Sequence, residues 1–295
     1  MNILVIHCRY RIFGGEDRVV ADDAALLRKM GHNVITYTLS NEVLNEMGIA
    51  ARIRSVIDYL HPVKQRRGII RMIKKHSADV IWVHNTLWMY GTAPYEAGRI
   101  CGVPVIQTVH NYRLLCPNGI CYRKGSICRD CIGKFPKGLH NAIFRRCYRN
   151  SAVLTAAIAL NIKKQQKALR NNIRIVCVSE HQRKLLLGSV KGLNPKEVYI
   201  KRNSINAAHP FRPYGERGNR FLYAGRLTES KGIKELLTAW KSIEMKMNGD
   251  APGLVICGAG ELSEYIDRYI SENRLRHVIN QGELPKERVH ALMAD

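Results

Sequence analysis

The sequence predicts an α/β protein of two doubly wound halves in series, the second of them incomplete. Three observations carry this. Short apolar runs of strand length alternate with longer helical patterns along nearly the whole chain, the signature of parallel strands buried between helices. The alternation breaks once, at residues 206–219 (NAAHPFRPYGERGN), where two prolines and two glycines fall in a stretch with little periodicity. Three strand–helix units follow that break, about what one mononucleotide-binding half needs and fewer than a full doubly wound domain. The expected division is therefore a first domain over 1–205, a linker over 206–219 and a partial second domain over 220–295.

The elements follow in order. Asn2–His7 is an apolar run and the first strand. Gly14-Gly15-Glu16-Asp17 opens a helix marked by Val19, Val20, Ala24, Leu27 and Met30, Gly31 ends it, and Asn33–Leu39 is the next strand. Further strands are expected at Asp79–His84, Val103–His110, Ile173–Ser179 and Val198–Arg202. Ser151–Arg170 reads as one helix with a basic last turn. It and the stretch Lys64–Lys75, where Ile69, Ile70, Met72 and Ile73 stand beside six cations, each have two readings: packing on the sheet or lying on a membrane. After the linker come strand Arg220–Gly225, helix Gly232–Ile243, strand Gly253–Cys257, helix Leu262–Asn273, strand His277–Gly282 and helix Lys286–Ala294.

Charge separates the halves. The chain of 295 residues carries 47 Lys and Arg against 24 Asp and Glu. Residues 218–295 hold 11 of each sign, so residues 1–217 hold 36 cations and 13 anions. An anionic partner is expected for the first half alone. At an anionic leaflet each such cation contributes roughly 1 kcal/mol; nucleic acid is the other candidate. Aromatic residues are 7% and no nucleic-acid motif is present, so a base-stacking platform is not evident and nucleic acid is the weaker expectation. No apolar stretch reaches the ~18 residues a spanning helix needs. The N-terminus reads as a first strand and not as a signal peptide. The expected location is cytoplasmic, peripheral at the inner face of the membrane.

Two constellations carry chemistry. Gly14 and Gly15 sit between a strand and a helix, where backbone N–H groups and the helix dipole favour an anion; a tight turn without a ligand is the other reading. In the second half, Gly225-Arg226-Leu227-x-x-x-Lys231-Gly232 follows a strand and opens a helix. Arg226 and Lys231 fall at the carboxyl end of that strand, where open α/β sheets bind ligands. A guanidinium fork and a compact ammonium together suit a diphosphate. Gly258-Ala259-Gly260-Glu261 repeats the turn after the next strand.

These residues resemble a known family. FLYAGRLTESKGIKELLTAW (221–240) and LVICGAGEL (254–262) are similar to the donor-binding half of family-4 glycosyltransferases with the GT-B fold, in which two Rossmann-like domains face each other. GGEDR near the start, TVHNYRLLCPNG (108–119), VCVSEHQRKLL (176–186) and KEVYIKRNSIN (196–206) agree with it in order. The resemblance implies a retaining hexosyltransferase. It would move a sugar from a nucleotide-sugar donor to a lipid-linked or glycan acceptor in cell-surface polysaccharide synthesis, with no cofactor required for catalysis. Negative charge grows on the leaving diphosphate as an oxocarbenium-like transition state forms, and preorganised cations opposite it lower the barrier. By the resemblance Arg226 and Lys231 are those cations and His110 lies near the reacting sugar. Gly15 lets backbone approach the donor from the facing domain, and Gly14, Asn203, Gly225, Gly258, Gly260 and Glu261 line the donor side. The family also carries two donor-contacting glutamates, seven residues apart, beyond the point where this sequence ends at Asp295. The expectation is a polypeptide truncated at its C-terminus and weakly active or inactive as it stands. An epimerase-like enzyme of the same fold and a basic nucleic-acid-binding module are the rival functions.

Nine cysteines in a cytoplasmic chain are expected to be reduced, and five of them fall between Cys116 and Cys147. Cys128-x-x-Cys131 has metal-ligand spacing, and Cys116 and Cys147 would complete a structural zinc site; reduced loop thiols without metal are the other reading.

Overall fold

In the computed structural model, which describes residues 1–10, 14–44, 48–134, 137–171, 173–203, 212–247 and 249–295, the opening apolar run forms β1 (Asn2–Arg9). Side chains alternate across a strand, and β1 has apolar residues on both sides. Ile3 and Val5 pack with Val20 and Ala24 of α1 (Gly15–Lys29). Leu4, Ile6 and Cys8 pack on the other side with Ile69 and Ile73 of the helix Val63–His76. A strand covered on both faces is what a doubly wound sheet requires, and each fully buried aliphatic chain contributes about 1.5–3 kcal/mol over leaving it in water.

The chain continues through β2 (Asn33–Ser40), α2 (Ile49–Leu60), α3 (Val63–His76), β3 (Val80–Val83), α4 (Ala93–Cys101) and β4 (Val105–Val109). A short hairpin follows, β5 (Tyr122–Arg123) and β6 (Ser126–Ile127), then α5 (Lys137–Phe144), α6 (Ala152–Ala168), β7 (Arg174–Cys177), α7 (Glu180–Ser189) and β8 (Val198–Ile200). The main sheet has the order β2-β1-β3-β4-β7-β8, and all its pairings are parallel. The chain steps from β1 outward to β2 and returns to β3 on the opposite side, so the topological switch point lies between β1 and β3. Ligands of such sheets bind there, beyond the carboxyl ends of the strands.

Two ambiguous segments resolve here. Ile69 and Ile73 of α3 are buried, and Ile70 and Met72 pack against the same core; the apolar side of the basic stretch therefore faces protein. In α6, Ala157, Ile158 and Ile162 are buried against Tyr59, Leu87 and Leu139. Ser151 caps that helix, its hydroxyl accepting from the Leu154 N–H at 3.3 Å.

The described residues divide into two compact units, Met1–Asn206 and Ala207–Asp295. Of the expected linker, residues 206–211 lie outside the described residues. The second unit runs β9 (Arg220–Ala224), α8 (Ile233–Met247), β10 (Gly253–Cys257), α9 (Ser263–Glu272), β11 (Val278–Gly282) and α10 (Lys286–Ala294). Its sheet is parallel, in the order β11-β10-β9. Leu227, Ile233, Leu237, Trp240, Leu254, Ile256 and Ile266 form a separate core. Among the described residues no helix is long and apolar enough to cross a membrane.

Candidate functional site

At the switch point of the first unit the sequence places a polar residue just past each apolar run, and the sheet brings these residues together. His7 ends the apolar part of β1, His84 follows β3 and His110 follows β4. His84 Nδ1 and His110 Nε2 are 2.9 Å apart, with the rings nearly parallel at 18°. One nitrogen donates and the other accepts, so a neutral pair needs only one shared proton. Burial lowers both basicities, and the neighbouring imidazoles and Lys201 add to the effect: His84 falls well below the ordinary histidine range and His110 falls to about 4. His7 Nε2 lies 2.8 Å from the Asp17 carboxylate, yet burial outweighs that partner and its pKa is lowered as well. Near pH 7 the dyad is uncharged. Nδ1 of His7 and Nε2 of His84 are buried with no hydrogen-bond partner among the described residues.

Beside the dyad stands Glu16, in the first turn of α1. Its Oε2 accepts from the Tyr10 hydroxyl and from Asn111 Nδ2, each at 3.2 Å. Burial is the largest influence on this carboxyl and raises its pKa to about 7, against the lowering effect of Tyr10, Arg113 and Asn111. Asn111 is itself fixed, its Oδ1 accepting from the Arg113 N–H at 2.8 Å and its carbonyl accepting from Gln182 Nε2 at 3.2 Å. Arg113 Nη1 donates to the Pro117 carbonyl at 2.5 Å, and its Nε is buried without a hydrogen-bond partner among the described residues. Glu16, His84, His110, Asn111 and Arg113 line one cleft of about 30 Å³, the space of about one water. A carboxylate that exchanges its proton near neutrality, next to neutral imidazoles, suits recognition of a hydroxyl group.

The first glycine turn looks different in detail. Gly14 precedes α1 with an extended backbone (φ −136°), and its N–H donates to Asp17 Oδ2 at 2.9 Å. Neither Gly14 nor Gly15 has positive φ, and a Cβ on Gly15 would meet nothing within 4 Å. The first unit by itself therefore places no steric demand for glycine at 15. Asn203 is exposed, beyond the end of β8.

In the second unit the loops after β9 and β10 are knitted together through their backbones. Gly225 N–H donates to the Cys257 carbonyl, Leu227 N–H to Ala259 and Leu262 N–H back to Leu227, each at 3.0 Å. The contact leaves no room for side chains. A Cβ at Gly258 would lie 1.9 Å from the Gly225 oxygen, and one at Gly260 would lie 2.3 Å from the Leu227 oxygen. Internal packing alone thus requires glycine at both positions, and Gly258 has φ +146° besides. Leu227 is fully buried and anchors the loop while its neighbours face water. Arg226 and Lys231 are exposed, and neither forms an ion pair with any described residue. Lys231 ends a 3₁₀ turn (Glu229–Lys231), and Gly232, at φ +73°, releases the chain into α8. Glu261 is exposed, and its Oε1 accepts weakly from the Glu229 N–H at 3.4 Å.

The residues anticipated from sequence thus fall into two groups, one in each unit. His110, Gly14 and Gly15 stand at the switch point of the first sheet; Gly225, Arg226, Lys231, Gly258, Gly260 and Glu261 share one loop pair in the second. Sequence reasoning did not single out Glu16, His84, Asn111 and Arg113. A signal existed for His84, because the strand-like runs 79–84 (DVIWVH) and 103–110 (VPVIQTVH) both end in histidine. Among the described residues no three or more His, Cys, Asp and Glu side chains stand so that they could hold a metal ion.

The comparisons agree with this architecture. The pattern of the glycosyl transferase 4-like domain matches residues 14–198, and that of glycosyl transferases group 1 matches residues 206–295. An uncharacterized glycosyltransferase of Methanocaldococcus jannaschii is 25% identical over 219 residues, which are 74% of this chain and 48% of that protein. The chain therefore spans about half the length of this curated relative. Among solved structures, Anabaena HepE in complex with UDP superposes with a TM-score of 0.58 at 12% identity, over 100% of this chain and 72% of its own. The sucrose-phosphate synthase of Thermosynechococcus elongatus gives 0.61 at 13% identity, over 99% and 73%. Likeness at that identity shows the fold, which is GT-B with Rossmann-like domains, and the extent of the domain match shows the family: the chain belongs to the glycosyl transferase 4-like glycosyltransferases.

Proposed function

We propose that this chain carries the acceptor-side domain and part of the donor-side domain of a retaining hexosyltransferase that uses a nucleotide-sugar donor. The observation that carries the donor reading is the pair Arg226 and Lys231: two exposed cations without ion-pair partners among the described residues, on a loop held rigid by Leu227 and by the adjoining 258–262 backbone. Such cations are free to meet a diphosphate and stabilise it as it leaves. HepE, whose fold this chain shares, has been solved with UDP and with UDP-glucose, which makes a uridine nucleotide the first donor to try. Titration of the 295-residue chain with UDP, GDP and ADP tests the reading. One of them should bind and raise the melting temperature in proportion to its excess over Kd. No stabilisation by any of the three at millimolar concentration counts against it. Incubation with the matching nucleotide-sugar, followed by NMR of the product anomer, tests retention.

On the acceptor side we propose a lipid-linked or glycan hydroxyl, received beside Glu16 and His110, with the first unit resting on an anionic membrane. The charge excess of residues 1–217 supports this. So does α2, which exposes Ile53 and Ile57 while Tyr59 is buried in the core behind it. Next to α2, an opening of about 560 Å³ is lined by Arg66, Arg99, Lys164 and Lys167. The carboxylate on that lining, Glu96, is paired with Arg66 at 2.7 Å. The chain should sediment with phosphatidylglycerol vesicles and not with phosphatidylcholine vesicles, and binding should weaken steeply with salt. Equal partition to both vesicles would remove the electrostatic part of the proposal.

A further inference from the structure

His84 is a buried titratable group to which the proposed transfer gives no task. It stands one position past β3, and the chain holds it from several sides. Its N–H donates to the Ile6 carbonyl at 2.9 Å. Its carbonyl accepts from Gln107 Nε2 at 2.8 Å, and Gln107 is fixed in turn by the Tyr95 hydroxyl, which donates to Oε1 at 2.6 Å. The next residue, Asn85, donates from Nδ2 to the Cys8 carbonyl at 2.8 Å and accepts at Oδ1 from the Leu87 N–H at 3.0 Å. The His84 ring packs beside that of Trp82, with centroids 5.0 Å apart. Trp82 is itself tied to β4, its Nε1 donating to Thr108 Oγ1 at 2.8 Å. A side chain locked by packing and by bonds behind it can hold a neighbour in place.

The neighbour is His110. An Nδ1–Nε2 distance of 2.9 Å, planes 18° apart and centroids 5.2 Å apart describe two rings edge to edge, joined by a hydrogen bond in their common plane. Burial keeps both uncharged near pH 7, so one proton is shared between these two nitrogens. A neutral imidazole carries a single N–H, and the bond made at one nitrogen decides the state of the other. If His110 Nε2 donated, His84 would carry its proton on Nε2, an atom buried with no hydrogen-bond partner among the described residues. That arrangement orphans an N–H. If His84 Nδ1 donates, the orphan is a bare lone pair. Buried N–H groups without an acceptor are rarer in native structures than acceptors short of a donor. His7 makes the same choice. Its Nε2 donates to the Asp17 carboxylate at 2.8 Å, which leaves its buried, unpartnered Nδ1 bare.

We propose that His84 is a positioning residue: by donating from Nδ1 to His110 Nε2 it fixes His110 as the Nδ1–H tautomer, so that His110 offers the cleft a hydrogen-bond donor and no basic lone pair. Nε2 of His110 is taken by His84, and Nδ1 is the ring nitrogen left for the cleft that His110 lines. On the reading of this cleft as the place where a sugar hydroxyl is received, on which the functional part of the proposal rests, His110 donates to an oxygen of the bound sugar. Accepting the hydroxyl proton then falls to Glu16, on the same lining.

Two variants separate positioning from packing. His84→Phe keeps a ring of similar shape and removes the bond; His84→Asn loses the ring and keeps an N–H donor near the place of Nδ1. The readout is the protonation of the two His110 ring nitrogens in the full chain, by proton–nitrogen NMR of isotopically labelled histidine at pH 7 without substrate, the signals being assigned by their loss in His110→Gln. The wild type should show His110 protonated at Nδ1 and bare at Nε2. His84→Phe should show a mixture of tautomers, and His84→Asn should keep the wild-type form. With nucleotide-sugar at saturation, His84→Phe should transfer about 10- to 100-fold more slowly, His84→Asn should recover most of the rate, and both should bind nucleotide as the wild type does. A wild-type His110 protonated at Nε2 overturns the proposal, and so does an unchanged tautomer in His84→Phe. Transfer kept by His84→Phe and lost by His84→Asn overturns it too, since that is the pattern of a packing role. If His84→Phe does not fold, the wild-type spectrum and His84→Asn decide. A tautomer that shifts in His84→Phe while transfer stays at the wild-type rate upholds the histidine pair and removes the sugar hydroxyl from this cleft.

Discussion

Replacing Arg226 with alanine is expected to weaken nucleoside diphosphate binding about 10- to 100-fold and to lower donor turnover about 100- to 1,000-fold, with no loss of fold. The magnitudes follow from what the side chain is asked to do. A charge-assisted, bidentate contact to phosphate is among the stronger polar interactions, and the charge it opposes increases as the sugar–phosphate bond breaks. The effect on turnover should therefore exceed the effect on binding. Lys231→Ala should act in the same direction with a smaller binding loss, because an ammonium meets the diphosphate as a point charge. Both side chains are exposed and unpaired with described acids, so stability should change by no more than about 0.5 kcal/mol. The double variant should fall short of the product of the singles if both cations face one diphosphate. Calorimetric titration with the nucleotide that stabilises the parent chain checks the first claim, and thermal unfolding checks the control. Arg226→Ala binding that nucleotide as tightly as the parent would remove the cationic basis of the donor site.

How much of this was legible in the sequence differs between the units, for physical reasons. Parallel strands buried on both faces leave unbroken apolar runs, so β1 and β10 were readable to within a residue or two of their ends. The runs 79–84 and 103–110 were read too long, because they include the polar residues beyond the last paired position of β3 and β4. Those overhangs carry His84 and His110, so the error marked the site. Helix α2 and the β5–β6 hairpin went unread. The first is short and set among charges, and the second has two residues per strand, too few for any period to show. Glu16, Asn111 and Arg113 could not be linked from sequence, because their meeting depends on the crossover that sets β1 between β2 and β3. Gly258 and Gly260 were read for their approach to a ligand; the structure supplies a second reason, the backbone contact with Gly225 and Leu227. Glycine patterns report that something passes close by and do not say whether it is a phosphate or the protein's own chain.

The Glu16 carboxyl gives the other large effect, and its sign can be worked out. Its folded pKa, about 7, lies above the ordinary carboxylate value. The native state therefore binds the proton more tightly than the unfolded chain does. The contribution is fully present below the unfolded value, about 4.3 for glutamate, and is lost as pH rises through about 7. Above pH 7 the fold carries a half-buried charge held by Tyr10, Asn111 and the nearby Arg113. The histidines act in the opposite sense. His110, at about 4, and the lowered His84 and His7 contribute stability that is present above the usual histidine value and lost as pH falls below it. The two trends partly cancel in the parent protein, so the informative quantity is the difference between parent and Glu16→Gln. Glutamine keeps the shape and an acceptor oxygen and cannot ionise. The variant should gain stability relative to the parent on going from pH 5 to pH 8, by about 1–3 kcal/mol, read from urea midpoints at the two values. If Glu16 receives the acceptor hydroxyl, the same variant should bind nucleotide normally and transfer sugar about 100-fold more slowly. A stability difference independent of pH would show that this carboxyl is not held protonated by its burial, and unchanged transfer would move the acceptor elsewhere on the first unit.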